Sequence, residues 1–195
     1  MPRREEVLLS LLEEGASSQL ELSTRLKISL SAVNCAVKPL AAMGAVEIRL
    51  RGLKLIDLRK AALYYATHCN LEKKTVYSTR AEKQVTQIER EMPQGAAFTA
   101  YSGYRMAFDD TPADYSEVLV YADDAAAAEI QRRFPARKGR PNVIVLRPDS
   151  VVGRLSKKGV APKYAIFSDL WNLKGWYAAE FLKAIEARLF GTILE

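Results

Sequence analysis

Apolar residues recur at helical spacing through the first forty residues of this chain, and then the pattern switches to alternation. Val7, Leu8, Leu11 and Leu12 share one face of a helix predicted over Arg3–Glu14, and Gly15 ends it. Ser18 and Glu21 have the spacing of a capping box, so a second helix starts there, with Leu22 and Leu26 one turn apart. Ile28 falls in the following turn, where an apolar residue plugs the corner between two helices. Ser29 is the N-cap of a third helix, in which Val33, Val37 and Leu40 recur at i, i+4 and i+7. Gly44 is its stop. Val46-Ile48-Leu50 and Leu53-Leu55 then alternate, joined through Arg51-Gly52, which is a hairpin signal. Helix–turn–helix followed by a basic hairpin is a winged helix, here spanning residues 1–58. In that arrangement the second helix of the pair enters the DNA major groove.

Residues 59–72 read as a linker helix, with Ala62, Tyr65 and Cys69 on one face. It either offers a dimer contact or packs on its own chain. The texture changes from residue 73. KTVYST is β-branched and aromatic and predicts a strand. Ala81 to Met92 is predicted helical, ended by Pro93 and Gly95. Residues 96–103 read as a strand or a strand and turn. EVLVYA and NVIVLRP are buried strands, with a helix over 124–134 between them. Gly175 to Phe190 is an amphipathic helix through Ala178, Phe181, Leu182, Ile185 and Leu189. The expected fold class is therefore α+β, an N-terminal winged helix-turn-helix domain followed by a mixed α/β domain over 73–195. No internal repeat or low-complexity tract interrupts it.

Charge sharpens this picture only mildly. The 195 residues carry 29 basic and 23 acidic side chains, a net +6 that favours a polyanionic partner. Two cysteines, Cys35 and Cys69, form no disulfide framework and no zinc pattern, so a reducing compartment is expected and no metal or cofactor is. Nothing before the first helix reads as a signal peptide, and no apolar run approaches bilayer length. A cytoplasmic protein with no membrane association is expected.

On the exposed face of the third helix the candidates are Ser31, Asn34 and Lys38, beside Leu30 and Cys35, with Ser29 setting the start. Asn34 has the geometry for a bidentate pair with adenine, Ser31 for a base edge or phosphate, and Lys38 for phosphate. No arginine lies on this helix, so its direct readout is modest. Pro39 predicts a local bend, since its ring crowds the carbonyl of Cys35. From the wing, Arg49, Arg51 and Lys54 suit phosphate or the minor groove, or protect an exposed strand edge. A second basic patch, Arg132, Arg133, Arg137, Lys138 and Arg140, either extends a DNA footprint, docks an acidic partner or is a solvated loop. Catalytic signatures are thin. There is one histidine, no Gly-rich phosphate loop and no nucleophile elbow. Asp109-Asp110 and Asp123-Asp124 are adjacent rather than spaced, and Asp123-Asp124 suits a helix cap. No enzyme is expected.

Beyond the wing, YST, AAFTAYSGYRMA, EVLVYAD, PNVIVLRPDSVV and APKYAIFSDLWNLKGWYAAEFLKAI follow in order. With the winged helix, this series resembles the AbiEi family of abortive-infection antitoxins over most of residues 5–190. Its most specific parts are Tyr164, Ser168-Asp169-Leu170 and Ala179-Glu180, with Ala100 and Ser102-Gly103 as the small-residue segment after a strand. The chain departs from the family in the Trp-Asn-Leu-Lys-Gly-Trp turn that follows AIFS. The resemblance implies a repressor that binds inverted repeats in its own promoter, and a second domain that counters a nucleotidyltransferase toxin encoded beside it. The residues leave the oligomeric state open between monomer and homodimer. They also leave three other readings: a regulator that senses a small ligand near Tyr101, Tyr104, Trp171 and Trp176, a protein–protein adaptor that binds no DNA, and, against the thin catalytic signature, a nucleotidyltransferase using Asp109 or Asp123.

Overall fold

Side-chain caps set most helix starts in the structure, a computed structural model that describes residues 3–16, 18–50 and 52–191. The chain divides into two units, Met1–Cys69 and Asn70–Glu195. In the first, α1 (Arg3–Glu14) is followed by α2 (Gln19–Leu26) and α3 (Leu30–Ala42). Ser18 Oγ accepts from the Glu21 amide at 3.1 Å and Ser29 Oγ from the Ala32 amide at 3.2 Å, as their spacing predicts. Lys27 closes α2 in the left-handed region at φ 52°, so three residues suffice to turn the chain into α3. Arg25 fixes the α1–α2 corner, bonding Glu21 and, at 2.9 Å, the Gly15 carbonyl.

Gly44, at φ 74°, releases the chain from α3 into β1 (Val46–Arg49) and β2 (Gly52–Leu55), paired antiparallel with Val46 opposite Leu55. The Ala45 carbonyl accepts from both Ile56 and Asp57 amides, at 2.9 and 3.1 Å, which closes the base of the hairpin. Asp57 then caps α4 (Leu58–His68). The linker expected over 59–72 divides differently. α4 belongs to the first unit, with Ala61, Ala62, Tyr65 and Ala66 buried and the helix packed on α1. Its small apolar face is what allows that close packing.

The second unit begins with α5 (Leu71–Lys74), β3 (Thr75–Thr79), α6 (Val85–Arg90), β4 (Ala97–Thr99) and α7 (Ala100–Phe108). It continues through β5 (Val118–Tyr121), α8 (Asp124–Arg133), β6 (Val143–Leu146), α9 (Ser150–Leu155), α10 (Lys163–Trp171) and α11 (Trp176–Phe190). The four strands lie in the order β3-β6-β5-β4, with β5 and β6 parallel and both edges antiparallel. Val118, Val120, Val143 and Val145 pack on one face against Ile88 and Ile130. The opposite face meets α7 and α10, with α11 packed on both. The whole is the expected α+β architecture.

Three departures from the sequence reading have local causes. The helix expected from Ala81 starts only at Val85, because Asn142 takes the Ala81 backbone. Its Oδ1 accepts the Ala81 N–H at 2.7 Å, and its Nδ2 donates to the Ala81 carbonyl at 2.9 Å. The segment 96–103 is strand only to Thr99. Gly103, a breaker by composition, lies inside α7, where a Cβ would stand 2.8 Å from the Phe98 carbonyl oxygen. α10 had no amphipathic signal because Tyr164 to Leu170 are all buried. Pro39 lies within α3, which runs on to Ala42, and the carbonyl it frees belongs to the exposed Cys35.

Candidate nucleic-acid interface

Opposite faces of α3 have opposite fates. Val33, Ala36, Val37 and Leu40 are at most 1% exposed. Ser31, Asn34, Cys35 and Lys38 are exposed, and Leu30 at the start of the helix is 48% exposed. The apolar stripe seats the helix on α1 and α2, and the polar stripe is left outward as a continuous strip. Ser29 is engaged in its cap, yet its hydroxyl hydrogen stays free to donate, since the capping oxygen is an acceptor.

Sequence reasoning missed Arg3 and Arg4. The first turn of α1 brings them beside Ser29, Ser31 and Cys35, where together they line a groove of about 360 Å3. Two adjacent arginines before a helix were the available signal, but their place beside α3 is set by the α1–α3 packing. Adding them to Lys38 gives the strip three cations.

The wing differs from its expected form. Only Val46 and Leu53, at 3% and 8% exposure, reach the core. Ile48 is 45% exposed and Leu50 fully so. Arg49 donates to Glu47 at 2.7 Å, and that hydrogen bond holds the Glu47 carboxyl below the usual carboxylate range. Lys54 stands opposite Glu47 in register and is exposed. Arg51 lies outside the described residues. The wing is therefore basic but partly self-neutralised.

The basic patch of the second unit is largely paired with acids. Arg132 and Arg133 both bond Glu129, and Arg133 also donates to the Glu91 carbonyl. Arg137 meets Glu82 at 3.5 Å and Arg140 meets Glu117 at 3.1 Å. Only Lys138 of the five makes no ion pair among the described residues. Glu129 lies just before the run, on the same helix, whereas Glu82 and Glu117 lie far away in sequence.

Other polar groups in this unit hold the fold together. Asp169 is buried under the sheet, where Oδ2 accepts from Thr99 at 2.5 Å and Oδ1 from Tyr121 at 3.0 Å. Burial pushes its carboxyl up to about 6, against the pull of Lys74 and the two hydroxyls. Asp123 caps α8, Asp124 pairs with Arg147, and Asp110 accepts from Tyr104. Asp109 closes α7 in the left-handed region. Among the described residues no three of His, Cys, Asp and Glu gather as a metal site requires. No helix among them is long and apolar enough to cross a membrane. Of the four aromatics named as a ligand site, Tyr101 and Tyr104 pack edge-on to Phe181, while Trp171 and Trp176 are exposed.

Residues 2–47, which run from the start of α1 into β1, match the family described as winged helix-turn-helix DNA-binding. The N-terminal unit is a winged helix-turn-helix DNA-binding domain. That family supports a DNA-binding regulator as the function class of the chain. No curated protein and no solved structure matches the chain.

Proposed function

We propose that the chain is a sequence-specific transcriptional repressor. One observation carries this reading: the DNA-binding domain presents Ser31, Asn34 and Lys38 as a single exposed strip on α3, the helix that enters the major groove in helix-turn-helix proteins. Asn34 reads a base edge, Ser31 reads a base edge or phosphate, and Lys38 engages phosphate. Ser29 fixes the N-terminal turn of the helix against the backbone. Arg3 and Arg4 hold phosphates beside it, and Lys54, Arg49 and Arg51 do so from the wing. With no arginine on α3, base readout is modest and backbone contacts supply most of the affinity. Acting as a homodimer, the chain would favour an inverted repeat with half-sites about 34 Å apart.

A second part of the proposal comes from the AbiEi resemblance: the chain represses its own operon, and its second unit counters a nucleotidyltransferase toxin in the cytoplasm. It has no catalytic activity of its own in this reading, since Asp123 and Asp110 are engaged in structural bonds. The test is a titration of the chain against the DNA upstream of its own gene and against a scrambled duplex, at two salt concentrations. Tight binding that discriminates the two duplexes is expected. Equal, weak binding that disappears with salt would leave only general electrostatics, and salt-insensitive capture by a protein would favour the adaptor reading.

A further inference from the structure

The sheet of the second unit is covered unevenly. Away from α6 and α8, helices α7 and α10 lie over the β4–β5 half of the face. On the other half, Ser78, Ile144 and Leu119 stand side by side in register across β3, β6 and β5. These three residues floor a cleft of about 400 Å3. That size falls within the roughly 300–1,000 Å3 of small-molecule sites. Tyr101 and Tyr177 form one wall, with Arg140 and Lys174 at the rim.

The polar groups of this cleft have a definite balance. Glu117, 8% exposed, accepts from Arg140 through Oε1 and from the Tyr177 hydroxyl through Oε2. Its charge is thus cancelled by Arg140. Lys174 is exposed and has no acidic partner among the described residues, so one acid and two cations leave the site a net +1. Tyr101 is 2% exposed, yet its hydroxyl makes no hydrogen bond among the described residues. Burial in a pocket near Glu117 raises that phenol above its usual range, so it remains a donor. Lining the cleft, this hydroxyl is open to a ligand acceptor.

We propose that this cleft binds a small aromatic carboxylate, its ring flat on Leu119 and Ile144 and its carboxylate taken by Lys174, the free N–H groups of Arg140 and the Tyr101 hydroxyl. The flat aliphatic floor and tyrosine wall suit a planar ring. A monoanion fits better than a phosphate dianion, because Glu117 stands beside the donors and only one positive charge is uncompensated. The site is separate from the winged helix and does not depend on DNA binding.

The experiment is calorimetric titration of the full chain with 2-naphthoate and with its neutral amide. Expected are saturable one-to-one binding of the naphthoate and at least tenfold weaker binding of the amide. Lys174→Ala, at an exposed position, should weaken naphthoate at least fivefold, and Tyr101→Phe should weaken it severalfold. Ile144→Trp should abolish binding while circular dichroism shows the fold intact. Absence of saturable naphthoate binding overturns the proposal. So does equal affinity for acid and amide, or naphthoate binding untouched by both Lys174→Ala and Tyr101→Phe.

Discussion

The two units use polar side chains in opposite ways. In the winged helix the polar residues of α3 point outward, and its cations Arg3, Arg4, Lys38 and Lys54 form no ion pair among the described residues. In the second unit the polar residues turn inward or toward each other: Asp169 holds α10 to Thr99 and Tyr121, and four of the five patch cations have partners. Basic composition alone does not separate these cases. What separates them is whether the fold brings an acid within reach. A charge surrounded by its own chain's acids gives up little counterion on meeting DNA, so the first unit is the better candidate for the polyanion.

The largest effect that sharpens this contrast is charge reversal on the first unit. Lys38→Glu with Lys54→Glu should lower affinity for the chain's own upstream DNA about 100-fold, roughly 3 kcal/mol, and flatten the salt dependence by about one unit per lost phosphate contact. A fluorescence anisotropy titration at several salt concentrations measures both. Unchanged affinity would break the comparison.

Asp169 comes next. Its folded value of about 6 lies above its ordinary 3.8, so the folded state holds the proton more tightly than the unfolded chain. Its contribution is therefore fully present below pH 4, is lost as pH rises through 6, and is constant above. The loss is on the order of 3 kcal/mol. Both tryptophans, Trp171 and Trp176, lie in the second unit, so urea unfolding followed by their fluorescence reports that unit alone. Asp169→Asn should remove the fall in stability between pH 4 and 6.5 that the unaltered chain shows.

Gly103→Ala should destabilise the same unit by about 1–3 kcal/mol, because the new methyl meets the Phe98 backbone and cannot be accommodated by a side-chain rotation. Thermal melts read by the same fluorescence test this, with DNA affinity at low temperature unchanged. The smallest effect is expected from Arg132→Ala with Arg137→Ala: less than twofold in DNA affinity, and under about 1 kcal/mol in stability, as for exposed ion pairs. A tenfold loss of DNA binding would return this patch to the interface.

Legibility followed the same division. The winged helix could be read from local signals: Ser18 and Ser29 cap where their spacing says, Gly44 stops α3, and the hairpin follows. The outward placement of Ser31, Asn34 and Lys38 followed from periodicity alone. Arg3 and Arg4 were invisible as site residues because their position depends on α1 packing against α3. In the second unit the strands of the parallel pair were evident, but α7 was hidden by Ser102-Gly103 and α10 by its lack of a polar face. The pairing of the basic patch depends on contacts such as Arg140 with Glu117, 23 residues apart, for which the sequence has no local sign.

Asn142 carries a consequence of another kind. Its side-chain amide matches the Ala81 backbone group for group, an N–H met by an oxygen and an oxygen met by an N–H. Aspartate lacks the donor, leucine lacks both groups, and glutamine places them one methylene too far. Most buried positions tolerate exchange among residues of similar volume, but position 142 accepts one of the twenty. A saturation library selected for folding would return it as asparagine amid tolerant neighbours, marking by its intolerance the place where a side chain serves as backbone.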